Sequence, residues 1–381
     1  MYHFDYIISG AGASGLSLLM RMMQRKEFNN KKILVVDKAP KNINDRTWCY
    51  WEKQPGLFEP VVHHSWKQVH FFSEQFSSLL NLHPYSYKMI RSIDFYNYIL
   101  KEAQKRSNIQ FIYGNVYKVG NEANMAFADV DDKRYTADFL FNSILFSPLK
   151  KEPGKHYLLQ HFKGYMIESE EPAFDPLKAT LMDFRISQKE GTSFVYVLPV
   201  SPKKALIEYT LFSADLLQPD EYTRVLKEYI AQRLQLANYT IEEEEFGIIP
   251  MTNIRFEKNE GRVINIGTAG GQTKGSSGYT FQFIQKLTEK LVNDLLQFGI
   301  PSLKELFFEK RFPLYDAILL NVLDGNKLSG KRIFSDLFKK NPTDRVLRFL
   351  DNESSVTDEI KLMATLPQLI FMKAAFAEIF R

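Results

Sequence analysis

The chain begins with apolar and polar positions that predict a strand, a helix and a second strand. Residues 3–9 form a short apolar run, residues 14–27 carry apolar side chains at helical spacing, and residues 32–37 form another apolar run. A strand that leads through a helix into a second strand is a βαβ unit, in which the two strands are parallel. We therefore expect the first domain to belong to the α/β class.

The rest of the chain continues this alternation and then changes character. The pattern predicts helices over 92–107, 219–236 and 280–297, and helical structure from 301 onward. Strand-like runs occupy 109–113, 115–119, 124–129, 134–141 and 263–267. Residues 157–213 alternate between apolar and polar positions, with Pro and Gly between the runs, as is typical of an antiparallel sheet.

These elements predict three regions. A discontinuous α/β domain is assigned to 1–60, 90–150 and 255–298. A β-rich lobe is assigned to 61–89 and 151–254, and a helical region to 299–381. A late strand, a Gly-rich loop and a helix, all within 255–298, would return the chain to the first domain.

Three glycines lie where the first strand turns into the helix. Gly10, Gly12 and Gly15 have the spacing G-x-G-x-x-G, and Asp37 ends the second strand. In such a unit the glycines allow a tight turn, the approach of a pyrophosphate and close helix packing, while the acid binds a ribose. The alternative is a βαβ unit with an incidental aspartate. We prefer a dinucleotide site, although the motif does not distinguish FAD from NAD.

Composition narrows the range of partners. The 381 residues carry a formal net charge of +4 with both signs interspersed, and no basic tail suited to nucleic acid is seen. Cys49 is the single cysteine, so we expect no intramolecular disulfide and a reducing cytosol. Neither a secretion signal nor a membrane-spanning apolar run is recognised. The seven histidines lack the spacing of metal ligands, so no metal is predicted.

Aromatic residues are unusually frequent. The chain contains 31 Phe and 19 Tyr. Aromatic side chains fill cores, and they also suit a long apolar ligand or the stabilisation of a carbocation. Both interpretations remain open.

Two segments carry side chains suited to chemistry. In ALIEYTLF (205–212), Glu208 has apolar neighbours on either face of a strand, and a carboxyl in such surroundings can deliver a proton. The alternative is a glutamate that faces solvent. In DRTWCYW (45–51), Arg46 either forms a salt bridge in a packed loop or approaches a dinucleotide phosphate or flavin ring. We expect Cys49, in the same tract, to be a packed apolar residue.

Several segments together resemble the lycopene cyclase family of bacterial carotenoid biosynthesis. The matching segments follow one another in family order over most of the chain: DYIISGAGASGLSL (5–18), DRTWCYW (45–51), LQHFKGYMIE (159–168), LMDFR (181–185), FVYVLPVS (194–201), LIEYT (206–210), GIIPMT (247–252) and GTAGGQTKGSSGYTF (267–281). The glycine turn is shared with many flavoproteins. The tryptophan-containing tract and LIEYT are more specific.

The resemblance implies an FAD-binding, Rossmann-like fold of the p-hydroxybenzoate hydroxylase type, with an antiparallel β-sheet substrate lobe and a helical C-terminal region. The first three glycines and Asp37 match the family's FAD fingerprint, and Arg46 falls in the matching tryptophan tract. Glu208 matches the family's acid residue. Tyr209 replaces the second acid that some relatives carry, which puts a two-carboxylate mechanism within LIEYT in doubt.

The late glycine-rich loop departs from many flavoproteins. Gly267 is followed by Thr268, where related flavoproteins carry an aspartate near the ribityl phosphate region. The resemblance implies that backbone N–H groups of Gly270, Gly271 and the turn that contains Gly278 serve the flavin instead.

The resemblance also implies a reaction. Protonation of the ψ end group of lycopene creates a tertiary cation, the neighbouring double bond closes a ring, and loss of a proton gives a β-ionone end. Reduced FAD would be required without net redox turnover, and NAD(P)H would act as the reductant. Whether Glu208 or the flavin transfers the proton is left open.

A lipid-soluble carotenoid substrate implies a protein that is peripheral to the inner face of the cytoplasmic membrane. The stretch 366–381 is apolar with few charges, and predicts either a helix docked in the core or an interfacial helix. The number of rings closed, β or ε closure, the acyclic carotene used and the oligomeric state stay open.

Two other functions fit the glycine turn. One is a flavin monooxygenase or prenyl-chain reductase, which would consume NAD(P)H in step with its product. The other is a lipid-binding carrier of the GDP-dissociation-inhibitor type, which would need neither flavin nor a buried acid.

Overall fold

A computed structural model describes residues 2–302 and 310–380 of the chain. The part of the predicted C-terminal helical region that covers 303–309 lies outside the described residues.

Strands and helices are interspersed in the first part of the chain, and helices follow one another from Arg311 on. In chain order the strands are β1 (Tyr2–Ser9), β2 (Ile33–Asp37), β3 (Thr47–Glu52), β4 (His64–Trp66), β5 (Gln68–Phe72), β6 (Ser77–Asn81), β7 (Ser86–Arg91), β8 (Ile109–Tyr113), β9 (Val116–Glu122), β10 (Met125–Val130), β11 (Lys133–Asn142), β12 (Tyr157–Ser169), β13 (Lys178–Asp183), β14 (Thr192–Pro199), β15 (Lys204–Ser213), β16 (Tyr239–Thr252), β17 (Asn259–Glu260) and β18 (Val263–Asn265). The α-helices are α1 (Ala13–Met23), α2 (Ser92–Ala103), α3 (Pro219–Gln232), α4 (Phe281–Phe298), α5 (Arg311–Asp324), α6 (Gly330–Lys340), α7 (Thr343–Leu350), α8 (Val356–Met363) and α9 (Gln368–Ile379).

The first sheet is built around parallel strands in the order β18-β11-β1-β2-β8. Its central strands are apolar on both faces, and all five residues of β2 are buried. Such strands are expected where both faces of a parallel sheet are covered. Residues of α1, α2 and α4 share one hydrophobic core with β1 and β2. The turn between β1 and α1 is thereby held in place by packing.

The second sheet has the order β16-β12-β15-β14-β13-β5-β6 and is mostly antiparallel. Helix α3 packs against one face, where Tyr222 and Leu226 join the core formed by Ile207 and Tyr209. The other face packs against a small third sheet and the C-terminal helices, where Tyr196 and Leu206 share a core with Trp51 and Phe334. The third sheet has the order β3-β7-β4 and contributes the tract around Trp48 to the region between the first two sheets.

Most predicted elements are present, with shorter ends. Helix α1 ends at Met23 rather than at 27, and a 3-10 turn (Lys26–Phe28) follows. Helix α3 ends at Gln232, before Gln235 adopts a φ of 55° that does not continue a helix. The late strand stops at Asn265, because Gly267 has a φ of 64° and begins a 3-10 turn.

The C-terminal helix combines features of both predicted environments. Helix α9 packs on α5, with Ala374 buried and Ile370 and Phe371 partly buried against the core. Other apolar side chains of the same segment are exposed, among them Leu369 and Phe376. Within 2–302 and 310–380, no helix is long and apolar enough to cross a membrane. Membrane association and the three-region division of the chain stay predictions.

Candidate active site

A cavity of about 480 Å³ lies where the first and second sheets meet the third. The first sheet contributes the turn into α1 and the late loop, which line it through Gly12, Ser14 and Gly267. The third sheet contributes the tract 46–49, and the second sheet contributes Glu208. The cavity thus brings together segments that are more than 250 residues apart in the chain.

The first glycine turn has the geometry that its spacing predicts. Gly10 has a φ of 97°, and a Cβ added there would lie 2.2 Å from Oγ of Ser143. A Cβ on Gly15 would lie 2.0 Å from the carbonyl oxygen of Gly10, so only glycine allows α1 to start this close to β1. At Gly12, by contrast, no heavy atom of the described chain lies within 4 Å of such a Cβ. The open space at Gly12 is where a ligand can approach.

The start of α1 fits a dinucleotide phosphate. The N-terminal N–H groups of a helix attract anions, and α1 begins at the cavity. The hydroxyl of Ser14 is buried and has no hydrogen-bond partner in the described part of the chain. Buried polar groups of this kind usually bind a ligand or water. The residues present therefore fit a dinucleotide cofactor.

Asp37 lies beside the glycine turn but is not among the described residues that line the cavity. Its Oδ2 accepts a hydrogen bond of 2.7 Å from the N–H of Ala11, and its Oδ1 lies 3.2 Å from Nζ of Lys41. Lys41 itself lines the cavity. Asp37 is thus placed to fix the turn, and its ribose contact stays a prediction.

The late loop lies directly beside the first turn, since a Cβ on Gly267 would lie 3.1 Å from Cβ of Ser14. Gly267, Gly271 and Gly278 all have positive φ values, of 64°, 75° and 70°. Gly267 and Gly278 line the cavity, whereas Gly270 and Gly271 are not among the described residues that do so. A Cβ on Gly278 would lie 2.3 Å from Oε1 of Gln160, so the loop packs directly against the second sheet.

The tryptophan-containing tract lines the cavity through its first residues. Arg46 lies there with an exposed side chain, whose Nη1 donates to the carbonyl of Asp45 at 2.6 Å. Trp48 packs against Phe281, with ring centroids 5.8 Å apart. Cys49 contacts the core, and burial raises the pKa of its thiol well above the usual value, which keeps it neutral. The tract is both packed and turned towards the site.

Strand β15 separates two environments by its alternation. Leu206 and Glu208 line the cavity, whereas Ile207 and Tyr209 pack against α3. Tyr209, which stands where some relatives carry a second acid, therefore points away from the cavity. The alternation was predictable from the sequence, but which face bordered a cavity was not, because both faces are apolar.

The surroundings of Glu208 favour the protonated form of its carboxyl. The hydroxyl of Thr210 donates to its Oε1 at 2.8 Å, and Tyr196 lies opposite it on β14. Burial and the neighbouring carboxyl of Glu245 raise the pKa of Glu208 well above its ordinary value. A raised pKa favours the protonated form of the carboxyl, which is the form that can act as a general acid.

Sequence reasoning missed Glu245. It ends a run of four glutamates in β16, and such a run is typical of a solvated strand. Glu242, Glu243 and Glu244 are exposed, but Glu245 is partly buried. The signal was the apolar sequence that follows it, since in an alternating strand Glu245 shares a face with Gly247 and Ile249, which line the cavity.

Comparison with known proteins agrees with this architecture. The family model described as "Lycopene cyclase protein" matches residues 5–376. A lycopene beta-cyclase of Pantoea ananas is 26% identical over 277 residues, which cover 66% of this chain and 63% of that protein. The chain therefore spans less than two thirds of the length of this relative.

Solved structures show the same fold at low sequence identity. A geranylgeranyl bacteriochlorophyll reductase-like protein from Thermoplasma acidophilum has a TM-score of 0.65 and 12% identity, covering 99% of this chain and 100% of its own. A flavoprotein/dehydrogenase from Cytophaga hutchinsonii has a TM-score of 0.60 and 12% identity, covering 97% of this chain and 99% of its own. The predicted fold class is confirmed. By the family match over nearly its whole length, the chain belongs to the lycopene cyclase family.

Proposed function

We propose that this protein is a lycopene beta-cyclase, which closes the ψ end groups of lycopene to β-ionone rings by acid–base chemistry without net oxidation or reduction. The observation that carries this proposal is the carboxyl of Glu208 at a cavity lined by aromatic side chains, where burial of the carboxyl and the neighbouring Glu245 raise its pKa well above the ordinary value. Redox chemistry on the same fold does not require such an acid. Isomerisation through a carbocation does.

The first step is a proton transfer from Glu208. The π electrons of the terminal double bond take the carboxyl proton to form a C–H bond, which leaves a tertiary cation and a carboxylate. The neighbouring double bond supplies the electron pair for the new ring bond. Loss of a ring proton to a base then forms the ring double bond, so substrate and product have the same formula.

The walls of the cavity suit a cationic intermediate. Phe162, Tyr196 and Phe281 line it, and aromatic faces attract positive charge. Water would capture the cation as an alcohol, so a site of this kind has to exclude it. Burial raises the pKa of Tyr196 well above its usual value, so its hydroxyl stays neutral and does not remove the proton from Glu208.

The cofactor that we propose is reduced FAD, with NAD(P)H as the reductant. When bound, reduced FAD supplies negative charge that stabilises the cation electrostatically. The start of α1, with Gly12 and Ser14, would hold its pyrophosphate, and Asp37 would meet a ribose hydroxyl. Gly267 and Thr268 of the late loop, which line the same cavity beside Ser14, would contact the cofactor there.

We further propose that the protein takes its apolar substrate from the inner face of the cytoplasmic membrane. Helix α9 supports this proposal, because several large apolar side chains remain exposed after the helix has packed on α5: Leu369, Met372, Phe376, Ile379 and Phe380. A patch of exposed apolar residues at one end of a protein is typical of an interaction surface.

The experiment is expression of the chain in cells that accumulate lycopene, beside a Glu208→Gln variant, followed by chromatography and mass analysis of the pigments. We expect the chain to convert lycopene into a cyclic carotene of unchanged mass, and the variant to leave lycopene uncyclised. Unchanged lycopene beside folded, flavin-containing protein would overturn the proposal. A product altered by hydrogen or oxygen would indicate an oxidoreductase, and a protein without flavin would indicate a lipid carrier.

A further inference from the structure

Strand β12 brings two glutamates from different strands to one place. Gly164 of β12 pairs with Glu208 of β15 on one side and with Glu245 of β16 on the other. Directly opposite residues in neighbouring antiparallel strands point to the same face of the sheet. Glu208 and Glu245 therefore lie on the same face, with a residue that has no side chain between them.

The glycine leaves room for the two carboxyl groups to meet. Strands are spaced by about 4.8 Å, so the backbones of Glu208 and Glu245 are about 10 Å apart, a gap that two glutamate side chains can close. A Cβ added to Gly164 would lie 3.0 Å from Cγ of Glu245 and 3.2 Å from its Oε1. The side chain of Glu245 thus already leans over the glycine, towards β15.

The hydrogen bonds of the two carboxyls are complementary. Oε1 of Glu208 accepts from Thr210, which leaves its second oxygen to carry a proton. Oε1 of Glu245 is buried and finds no hydrogen-bond partner within the described residues. A buried carboxylate oxygen without a donor is costly. The proton of Glu208 is a donor that can satisfy it.

The other titratable groups around the pair do not replace this role. Cys49 of β3, Tyr87 of β7 and Tyr196 of β14 face Glu208, and burial raises the pKa of each well above its usual value, so all three are neutral. The charge of Arg46 lowers the pKa of Glu245, and the charge of Glu243 raises it. Burial raises the pKa of Glu245, while Thr47 and Glu208 favour its charged form.

We propose that Glu245 is a positioning residue, whose carboxylate shares one proton with Glu208 across Gly164 and keeps Glu208 in its acid form between turnovers. Two carboxyls that share a site cannot both ionise easily, so the presence of one holds the proton on the other. The consequence for cyclisation rests on the proposed function. The sharing of the proton does not.

The direct test is the infrared band of the protonated carboxyl, recorded against pH on purified protein. Subtraction of the spectrum of Glu208→Gln assigns the band to Glu208. In Glu245→Gln the band should be lost at a pH about one to three units lower than in the unaltered protein, because the neighbouring negative charge is gone. The matched control is Glu244→Gln on the other face of β16, where Glu244 lies 3.3 Å from Lys163, and it should leave the titration unchanged.

A second variant keeps both carboxyls. Gly164→Ala should push the side chain of Glu245 away from Glu208, and so move the titration in the same direction by a smaller amount. If Glu208 titrates at the original pH in a folded Glu245→Gln protein, the proposal is overturned.

The pH profile of lycopene cyclisation separates the two proposals. If Glu208 is the acid, activity falls as pH rises through its pKa, so Glu245→Gln should move this alkaline fall to lower pH by the same amount as the infrared band. A shifted band in a protein that does not cyclise lycopene would refute the function and leave the carboxyl pair standing. Cyclisation with an unshifted band would refute the pair alone.

Discussion

The two faces of the second sheet differ in how completely their polar groups are satisfied. On the α3 face even the polar side chains are paired, since His161 contacts Ser213 at 2.7 Å and Tyr222 at 2.5 Å. On the cavity face, buried oxygens of Gln160 and Glu245 have no hydrogen-bond partner among the described residues. Alternate residues of the same strands thus build two cores. On the α3 side the polar groups are paired, whereas on the other side Leu206 and Phe212 join a core beside polar groups that have no partner among the described residues. Unsatisfied polar groups are tolerated where a ligand or a reaction needs them.

The largest expected effect comes from changing neighbouring residues of β15 that face opposite ways. Glu208→Gln removes the acid and should lower the cyclisation rate by about 10²–10⁴-fold, the usual contribution of a positioned general acid. Tyr209→Phe removes a hydroxyl on the α3 face and should leave the rate nearly unchanged. Turnover of lycopene by the two purified, flavin-loaded variants measures the difference. Equal losses in both would show that the two faces do not have separate roles.

A substitution in the core should affect stability more than activity, and one in the cavity wall should do the opposite. Ile207 is fully buried against α3, so Ile207→Ala should lower the free energy of unfolding by about 2–5 kcal/mol. Phe162 lines the cavity and is only partly buried, so Phe162→Ala should destabilise less and impair cyclisation more. Chemical denaturation and turnover per folded molecule provide the two readouts. A Phe162→Ala protein with full activity would contradict a role of this wall in catalysis.

The two faces should also respond differently to pH. Burial lowers the pKa of His161 to about 4, so the folded protein keeps this histidine neutral while the unfolded chain protonates it near pH 6.5. The unfolded state therefore binds more protons, and stability should fall as pH decreases from about 6.5 to 4. In His161→Asn that slope should be shallower, whatever the absolute stability. Denaturation curves recorded across this pH range measure the slope of stability against pH. An unchanged slope in His161→Asn would show that His161 does not titrate in this way.

The smallest expected effect comes from a substitution on α9, outside the second sheet. Phe376 is 66% exposed and contacts Phe380 with ring centroids 4.4 Å apart. Phe376→Ser should weaken binding to lipid vesicles by about tenfold, the effect of losing part of one phenylalanine burial. Co-sedimentation with vesicles measures it, and Tyr113→Ser, which removes an exposed aromatic ring from β8, serves as the control. Unchanged binding would show that α9 is not the contact surface.

Local patterns explain how much of the fold was predictable. The βαβ unit and its glycine turn are specified by neighbouring residues, and Gly10 and Gly15 have the conformations and close approaches that their spacing requires. The alternation of β15 was equally clear. What the sequence could not show was the environment of each face, because this depends on α3 and the late loop, which pack there from distant positions.

The carboxyl pair illustrates the limit most clearly. Glu208 and Glu245 are separated by 37 positions, and Gly164, which lets them meet, lies on a third strand. Each residue has an ordinary interpretation by itself: a strand glutamate, a charged run and a glycine. Their shared register is a property of the sheet and not of any one segment.

The most direct test of acid catalysis at this site is a single turnover of lycopene in D₂O, by purified protein loaded with reduced FAD and equilibrated so that Glu208 carries a deuteron. We predict a cyclic product that is isomeric with lycopene except for one deuterium per ring closed, since the added proton stays on the ring while a different one leaves. A product without deuterium, or one changed in mass by two hydrogens or an oxygen, would contradict proton transfer from Glu208.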